Sequence, residues 1–115
     1  MPSPTYTYRA QLGRVTDGDT CWLVVDVGFR MTATVPIRLV GINSPEMSTA
    51  AGVDAKAWAA AWFARHPNLI VETAKDPEKF GRWLGVISAD NEVLNDALVA
   101  SGHAVRWSGV GKRPV

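Results

Sequence analysis

The sequence has few of the residues that build covalent or metal cross-links. Cys21 is its single cysteine, and His66 and His103 are its two histidines. One cysteine excludes an intrachain disulfide and a cysteine-rich zinc cage, and so few histidines disfavour a histidine-based zinc site. We therefore expect a fold that a hydrophobic core holds together.

Charge of one sign and long hydrophobic runs are also scarce. Lysine and arginine number 12 against 11 acidic residues, a formal net charge of +1, so an anionic partner must be met by a local basic patch. No stretch approaches the ~20 apolar residues of a membrane span. Residues 1–9 lack the apolar run of a signal peptide. These absences predict a soluble, intracellular protein.

What remains is ordinary globular composition. The 115 residues fit one domain, and 47% hydrophobic with 20% charged residues excludes disordered, collagen-like and coiled-coil chains. We expect one domain over residues 1–107 and a mobile tail over residues 108–115.

Apolar patterning predicts five strands. Alternating or compact apolar segments cover residues 5–12, 21–27, 31–39, 69–73 and 83–89. In the third segment Arg38 faces away from its apolar neighbours, and Pro36 indicates a sheet edge or a bulge. Asp17-Gly18 and Asp90-Asn91 are turn signals next to the second and fifth segments.

A helix is predicted between the third and fourth strands. Its apolar stripe has the spacing i, i+4, i+7 and i+11, at Ala51, Ala55, Trp58 and Trp62. The helix should end near Arg65 and His66, with Pro67 as the stop. The stripe favours a core position for both tryptophans over a binding role.

A second, short helix is predicted near the end of the chain. Asn95 fits its N-cap, Leu94, Leu98 and Ser101 share one side, and Gly102 lies just past its end. Because the first three strands follow one another without crossover helices, we predict an α+β, mainly β fold. Its centre is a five-stranded barrel of the oligonucleotide/oligosaccharide-binding (OB) type.

Two carboxylates stand two residues apart at the first strand junction, Asp17 and Asp19. Asp-Gly is a leading turn dipeptide, so the segment can be an ordinary hairpin turn. Carboxylates and backbone carbonyls are also the ligands of a hard cation. The segment alone leaves both interpretations open.

Two further segments have the same ambiguity. Ser44-Pro45-Glu46 has the composition of a helix start, with Arg38 as a surface strand residue. The segment 79–84, with Lys79, Phe80 and Arg82, is typical of a solvated basic loop entering a strand. The alternative is that the first segment supplies a carboxylate and, with Arg38, a cation to a site, and that the second supplies cations.

The ordered set of motifs is more specific than any member. It consists of Asp17-Gly18-Asp19-Thr20, Arg38 with Asn43-Ser44-Pro45-Glu46, Gly81-Arg82, Leu94-Asn95-Asp96-Ala97-Leu98-Val99 and Gly102-His103-Ala104. Over roughly residues 9–106 this set resembles the staphylococcal nuclease (thermonuclease) family. The resemblance implies a five-stranded barrel with packed helices and calcium-dependent hydrolysis of phosphodiester bonds in DNA and RNA.

The resemblance also implies a metal site. Asp19 would bind the ion directly, Asp17 would lie in its outer coordination shell, and Ser44 would offer a backbone carbonyl. Asn43 stands where the family often has a second metal-binding aspartate. One negative charge is therefore missing, and we expect weaker binding of calcium, with another divalent cation as a possible substitute.

The remaining implied roles concern substrate and catalysis. Glu46 falls on the general base for the attacking water, and Arg38 and Arg82 on the guanidinium groups that hold the phosphate. Lys79 and Phe80 fall beside the nucleotide site. Trp107 could stack on a base, although the chain ends soon after it and lacks the family prototype's last helix.

The sequence thus predicts a metal-dependent endonuclease acting on DNA, RNA or both, with little sequence preference and faster cleavage of single strands. A catalytically weak or inactive domain that binds nucleic acid or protein is the alternative. An OB-type barrel without a nucleic-acid role is a third. Joint retention of Asp19, Arg38, Glu46 and Arg82 favours the enzyme, because a binding module needs no general base.

Overall fold

A computed structural model describes residues 6–76 and 81–108. Its elements, in chain order, are β1 (Tyr6–Asp17), β2 (Thr20–Gly28), β3 (Met31–Leu39), β4 (Ile42–Asn43), α1 (Ala50–Arg65), β5 (Leu69–Lys75), β6 (Trp83–Ala89), β7 (Glu92–Val93), α2 (Leu94–Ala100) and β8 (Val105–Arg106). All five predicted strands and both helices are confirmed. The two-residue strands β4, β7 and β8 were not predicted, because two residues show no periodicity. Lys79, Phe80 and residues 109–115 of the expected tail lie outside the described residues.

Five strands close into a barrel. They pair in the order β3-β2-β1-β5-β6, each with an antiparallel neighbour, and β3 then pairs in parallel with β6. At this closure a Cβ on Gly85 would lie 2.5 Å from Ile37 Cγ2, so only glycine lets the two strands approach. Pro36 comes just before the β3 residues that pair with β6, so at Pro36 this side of β3 is a sheet edge. The edge predicted from the proline is therefore confirmed. The predicted OB-type α+β fold is therefore correct.

The core fills the barrel and continues under the helices. Alternate strand residues such as Leu23, Ile37 and Ile87 are fully buried. On α1, Trp62 is also fully buried, and its Nε1 donates a hydrogen bond of 2.8 Å to Glu92 Oε1. Neither helix of the described part is long and apolar enough to cross a membrane.

The predicted stripe on α1 is correct except at its first position. Ala55 and Trp62 are buried, and Trp58 is half-buried with its ring stacked 5.4 Å from His103. Ala51 is exposed instead, since it lies in the first turn, beyond the edge of the core. Gly52 takes the buried place in that turn.

The start of α1 excludes a helix beginning at Ser44. The N-cap is Thr49, whose side-chain oxygen accepts a hydrogen bond of 3.0 Å from the Gly52 N–H. Residues 44–46 precede this cap as irregular chain. The segment Ser44-Pro45-Glu46 is therefore a loop, which is available to contribute to a site.

The prediction that Asn95 is the N-cap of α2 is wrong. The helix begins at Leu94 after Val93, without a side-chain cap. The buried Asn95 amide instead accepts from the Ile87 N–H at 3.2 Å and donates to the Val40 and Gly85 carbonyls at 3.0 and 3.1 Å. It ties α2 to β6 and to the end of β3.

The ends of α2 also differ partly from the prediction. Leu94 and Leu98 are buried as expected, whereas Ser101 is exposed because it lies at the C-cap, past the packed face. Gly102 follows with a φ of +84°, the left-handed conformation predicted for the residue after the helix.

Replacing Asn95 with alanine should lower the free energy of unfolding by about 3 kcal/mol, because the Ile87 N–H and the Val40 carbonyl lose the Asn95 amide as partner, while the Gly85 carbonyl keeps its bond from the Val40 N–H. Urea denaturation measures the change. Asp96→Ala is the control on the same helix: Asp96 pairs with Arg106 at the surface, 61% and 62% exposed, and should change stability by less than ~1 kcal/mol. Equal losses in the two variants would contradict this role of Asn95.

Candidate functional site

The predicted site residues converge at one end of the barrel. The β1–β2 turn carries Asp17 and Asp19, and Arg38 lies opposite Thr20 in the β2–β3 ladder. β4 carries Asn43, and the loop that follows it returns over the same turn. The convergence follows from strand pairing, because the β1–β2 turn and the end of β3 are neighbours in the ladder.

Asp19 is the centre of this cluster. Its side chain is buried, and Oδ2 accepts a hydrogen bond from the Ser44 N–H at 3.0 Å while lying 3.1 Å from Arg38 Nη1. The other oxygen, Oδ1, accepts from Thr20 Oγ1 at 3.0 Å. One carboxylate therefore joins the turn, the arginine and the loop, and its orientation is fixed.

Two glycines let the 43–46 loop approach. A Cβ on Gly18 would lie 2.8 Å from the Cβ atoms of both Ser44 and Ala55, and one on Gly52 would lie 1.9 Å from the Glu46 carbonyl oxygen. Side chains at these positions would force the loop away from Asp19 and from α1. Gly18 is therefore required for close packing as well as for the turn.

The backbone of Glu46 is anchored to the start of α1. Its carbonyl oxygen accepts hydrogen bonds from the Thr49 N–H at 3.0 Å and from Thr49 Oγ1 at 2.7 Å. The residue itself is exposed, two positions after Ser44. The family resemblance assigns proton transfer to the Glu46 carboxylate. This residue therefore combines an anchored backbone with exposure to solvent.

Arg38 is held on three sides. Besides Asp19, its guanidinium donates to the Leu39 and Ile42 carbonyls, each at 3.2 Å, and its side chain is 14% exposed. Trp107 lies beside it, with 5.8 Å from Arg38 Cζ to the ring centroid. Trp107 reaches this place because β8 pairs with β4. Its Nε1 is buried and has no hydrogen-bond partner in the described part of the chain.

Arg82 lies at the start of β6, the parallel neighbour of β3. It falls on the outward-facing side, two residues before Leu84, which pairs with Arg38. Its Nε contacts Asp76 Oδ2 at 2.7 Å, and that carboxylate is almost fully buried. Sequence reasoning missed Asp76, since an aspartate after a strand carries no signal that it will orient an arginine.

The two carboxylates of the turn differ in acidity. Burial, together with the hydrogen bond and the negative charge of Asp19, raises the pKa of Asp17 to about 6 from 3.8. Burial alone would also raise the pKa of Asp19, but the hydrogen bond with Asp17, the Arg38 charge and the Ser44 N–H lower it below the usual value. Near pH 5 the pair therefore carries one proton, mainly on Asp17.

This asymmetry predicts a pH-dependent stability without metal. The raised pKa means that the folded protein holds the Asp17 proton more tightly than the unfolded chain does. Protonation of Asp17 therefore makes its full contribution to the free energy of unfolding below pH 3.8, and this contribution is lost as pH rises through the folded-state pKa of about 6. In chelator, the unfolding free energy of the wild type should fall relative to Asp17→Asn over that interval. Urea denaturation of both proteins measures it, and parallel curves would contradict the assignment.

The donor set fits a hard cation better than zinc. Within residues 6–76 and 81–108, no group of three or more His, Cys, Asp and Glu side chains could hold a metal. The oxygen-bearing residues at this end of the barrel are Asp17 and Asp19 in the turn, the fully buried Asn43, and Ser44, whose N–H contacts Asp19. Ser44 Oγ is buried without a hydrogen-bond partner among the described residues. Side-chain oxygen atoms of low total charge are the kind of donor that suits hard cations better than zinc.

The structure thus brings most predicted residues together. Its described contacts join Asp19, Arg38 and Ser44 directly, and adjacent positions in the chain add Asp17, Asn43 and Glu46. Thr20, Thr49 and Gly52 also shape the site, and sequence reasoning did not single them out. Thr49 had a detectable signal, since a threonine before an alanine-rich helical segment is a favourable N-cap.

Comparison with known proteins supports the family suggested by the motifs. The family model for staphylococcal nuclease homologues matches residues 36–113, which include Arg38, Asn43, Ser44, Glu46 and Arg82. Protein ParB of Escherichia coli is 33% identical over 115 aligned residues, which cover 90% of this chain and 60% of ParB. The chain thus spans 60% of that relative's length. The family match, together with the closed barrel, shows that the chain belongs to the staphylococcal nuclease homologue family.

Proposed function

We propose that this protein is a cation-dependent endonuclease that hydrolyses phosphodiester bonds of single-stranded DNA or RNA. The observation that carries the proposal is the double contact of Asp19, with the Arg38 guanidinium and with the Ser44 amide. This double contact supports the proposal because it joins the carboxylate that would bind the cation, the arginine that would bind the phosphate and the loop that bears Glu46.

The arginines supply transition-state binding. A phosphodiester under attack gains negative charge on its equatorial oxygens, and planar guanidinium groups bind these oxygens with two parallel hydrogen bonds. Arg38 is fixed by Asp19 and two carbonyls, and Arg82 by Asp76. Because both are oriented before substrate binds, little reorganisation opposes the reaction.

Glu46 would accept the proton of the attacking water, and the cation would stabilise negative charge. Water is a poor nucleophile, and an exposed carboxylate next to the bound phosphate can accept its proton. Calcium held by Asp19, Asn43 and the Ser44 carbonyl would supply positive charge against the phosphate. It would also offset the repulsion between the acidic side chains and a polyanion.

The substrate class follows from the reacting group. The phosphodiester is the same at every nucleotide, so we expect little sequence selectivity. Single strands should be cut faster than duplexes, because the site must reach a splayed backbone.

One observation favours a second candidate function, a nucleic-acid or protein-binding module without activity. Asn43 removes a negative charge from the predicted metal site, and the described residues contain no group of three acidic, histidine or cysteine side chains able to hold a metal. A domain that had lost its metal would keep the barrel and the basic residues.

The test incubates labelled single-stranded and duplex DNA and RNA with the protein in calcium, in other divalent cations, or in chelator. We expect cation-dependent cleavage of the single strands. Glu46→Gln keeps the loop and should remove most activity, whereas Asp54→Gln changes an exposed acid on α1 and should leave the rate unchanged. Folded wild type without cleavage in any cation would favour the binding module.

Asn43 offers a separate test of the metal site. Calcium affinity follows ligand charge, so Asn43→Asp should tighten calcium binding to the free protein by about tenfold. A nonhydrolysable nucleotide should tighten binding to the wild type as well, since phosphate oxygens add ligands. Calorimetric titration of both proteins, with and without the nucleotide, measures these effects. Equal affinities in the free state would mean that Asn43 does not face the ion.

A further inference from the structure

The outer face of the β2–β3 ladder carries a row of side chains that begins at the candidate site. Its outward-facing pairs are Thr20 with Arg38, Trp22 with Pro36, Val24 with Thr34 and Asp26 with Thr32. The intervening residues of β2, among them Cys21 and Leu23, are buried in the core. We call these four pairs the outer row. It is about 20 Å long, at ~3.3 Å per residue.

A β-bulge adds a cationic residue to this row. The pairing of β1 with β2 shifts between Leu12 and Arg14, which leaves Gly13 as the extra residue and sets Arg14 opposite Trp22. Without the bulge, Arg14 would have the inward orientation that Leu12 has. A Cβ on Gly13 would lie 3.0 Å from the Trp22 carbonyl oxygen, so glycine suits the bulge.

Arg14 and Trp22 form a cationic aromatic pair on the surface. The Arg14 Cζ atom lies 5.5 Å from the centroid of the Trp22 ring. These two residues, with Gly13 and Thr34, line a cleft of about 340 Å³. An aromatic ring and a guanidinium are the two kinds of side chain on which unstacked bases lie, and the guanidinium also attracts phosphate.

A second cleft continues the row away from the candidate site. It has a volume of about 500 Å³, and Arg9, Gln11, Val24 and Thr32 are among the residues that line it. Gln11 pairs with Val24, and Val24 with Thr34, which lines the first cleft. The two clefts are therefore neighbours, with Arg14 beside one and Arg9 beside the other.

We propose that the outer row is a binding track for the strand of single-stranded nucleic acid that extends from the candidate site, with Trp22 and Arg14 as its stacking position. The proposal rests on the proposed function, since it takes Arg38 as the place of the reacting phosphate. Nucleic acid is favoured over a protein partner because Arg14 and the half-buried Trp22 ring lie on the face that begins at Arg38, and Arg9 lies beside the second cleft. The length of the row suits roughly four nucleotides, the lower limit for a single OB fold.

The test measures binding without cleavage. A labelled single-stranded dodecanucleotide is titrated in chelator with Glu46→Gln protein, and fluorescence anisotropy gives its dissociation constant. Inorganic phosphate, which can bind at Arg38 but has no base to stack on Trp22, is measured by competition. Trp22→Leu and Arg14→Gln should each weaken dodecanucleotide binding about tenfold and leave phosphate binding unchanged.

Two controls separate a contact from a structural effect. Trp22→Phe keeps a stacking face and should restore most of the affinity. Arg65→Gln removes the same charge from the exposed end of α1 and should have no effect. If Trp22→Leu does not fold, Arg14→Gln decides alone, because Arg14 is exposed.

The outcomes distinguish the track from the proposed function. Tight dodecanucleotide binding that depends on Trp22 and Arg14, in a wild type that cuts nothing, would support the track and overturn the nuclease. Normal cleavage with dodecanucleotide affinity unchanged in folded Trp22→Leu and Arg14→Gln would overturn the track. Equal affinity of the parent protein for the dodecanucleotide and for inorganic phosphate would overturn it as well.

Discussion

Arg82→Lys should lower the turnover of single-stranded nucleic acid by at least about 100-fold, the effect of losing one preorganised donor to a developing oxyanion. Lysine keeps the positive charge but loses the planar pair of N–H groups, and its ammonium cannot hold both Asp76 and the phosphate in the same geometry. Arg38→Lys should have an effect of the same size. Initial rates at saturating substrate measure both.

The matched control is Arg65→Lys, which makes the same change at an exposed position in the last turn of α1. It should keep the wild-type rate. Circular dichroism and thermal unfolding should show that both site variants remain folded, since each arginine lies at the edge of the barrel. Wild-type turnover in a folded Arg82→Lys protein would show that Arg82 is a solvated loop cation.

Asp19→Asn should abolish cation-dependent cleavage, with a loss of at least about 1,000-fold. The amide is nearly the same size as the carboxylate; its single oxygen can still accept from the Ser44 N–H, and its NH2 group can donate to the Thr20 hydroxyl oxygen. What it loses is the negative charge that would hold the cation and that now pairs with Arg38. The fold should survive, because Arg38 keeps its two carbonyl partners.

Asp54→Asn, an exposed carboxyl on α1, is the control for the loss of one negative charge. It should cut at the wild-type rate. Retention of more than about a tenth of the wild-type rate in Asp19→Asn would place the cation elsewhere.

The barrel was largely predictable from the sequence because its strands show their period. The alternation in β3 is regular enough to give both the strand and the outward direction of Arg38. The bulge at Gly13 was not predicted, although the spacing of apolar residues in β1 indicates it. Leu12 and Val15 are three residues apart yet pair with Leu23 and Cys21, which are both buried, so the alternation must shift between them.

The cluster of residues at the Asp19 end of the barrel was predictable where it depends on residue type, and less so where it depends on packing. The ordered motifs identified Asp19, Arg38 and Ser44, which the structure joins by direct contacts. The partners of Asn95 come from β6 and the end of β3, and the buried partner of Arg82 is Asp76. Such contacts depend on the three-dimensional fold, and no local sequence pattern predicts them.

Whether Asp19 anchors a divalent cation that phosphodiester cleavage requires can be decided from the initial rate of cleavage of a labelled single strand. The rate is measured as a function of calcium concentration, for the wild type and Asp19→Asn in parallel. We expect the wild-type rate to rise from background in chelator to a plateau, while Asp19→Asn stays at background throughout. A wild-type rate that is unchanged in chelator, or an Asp19→Asn curve that follows the wild type, would show that cleavage does not depend on a cation held by Asp19.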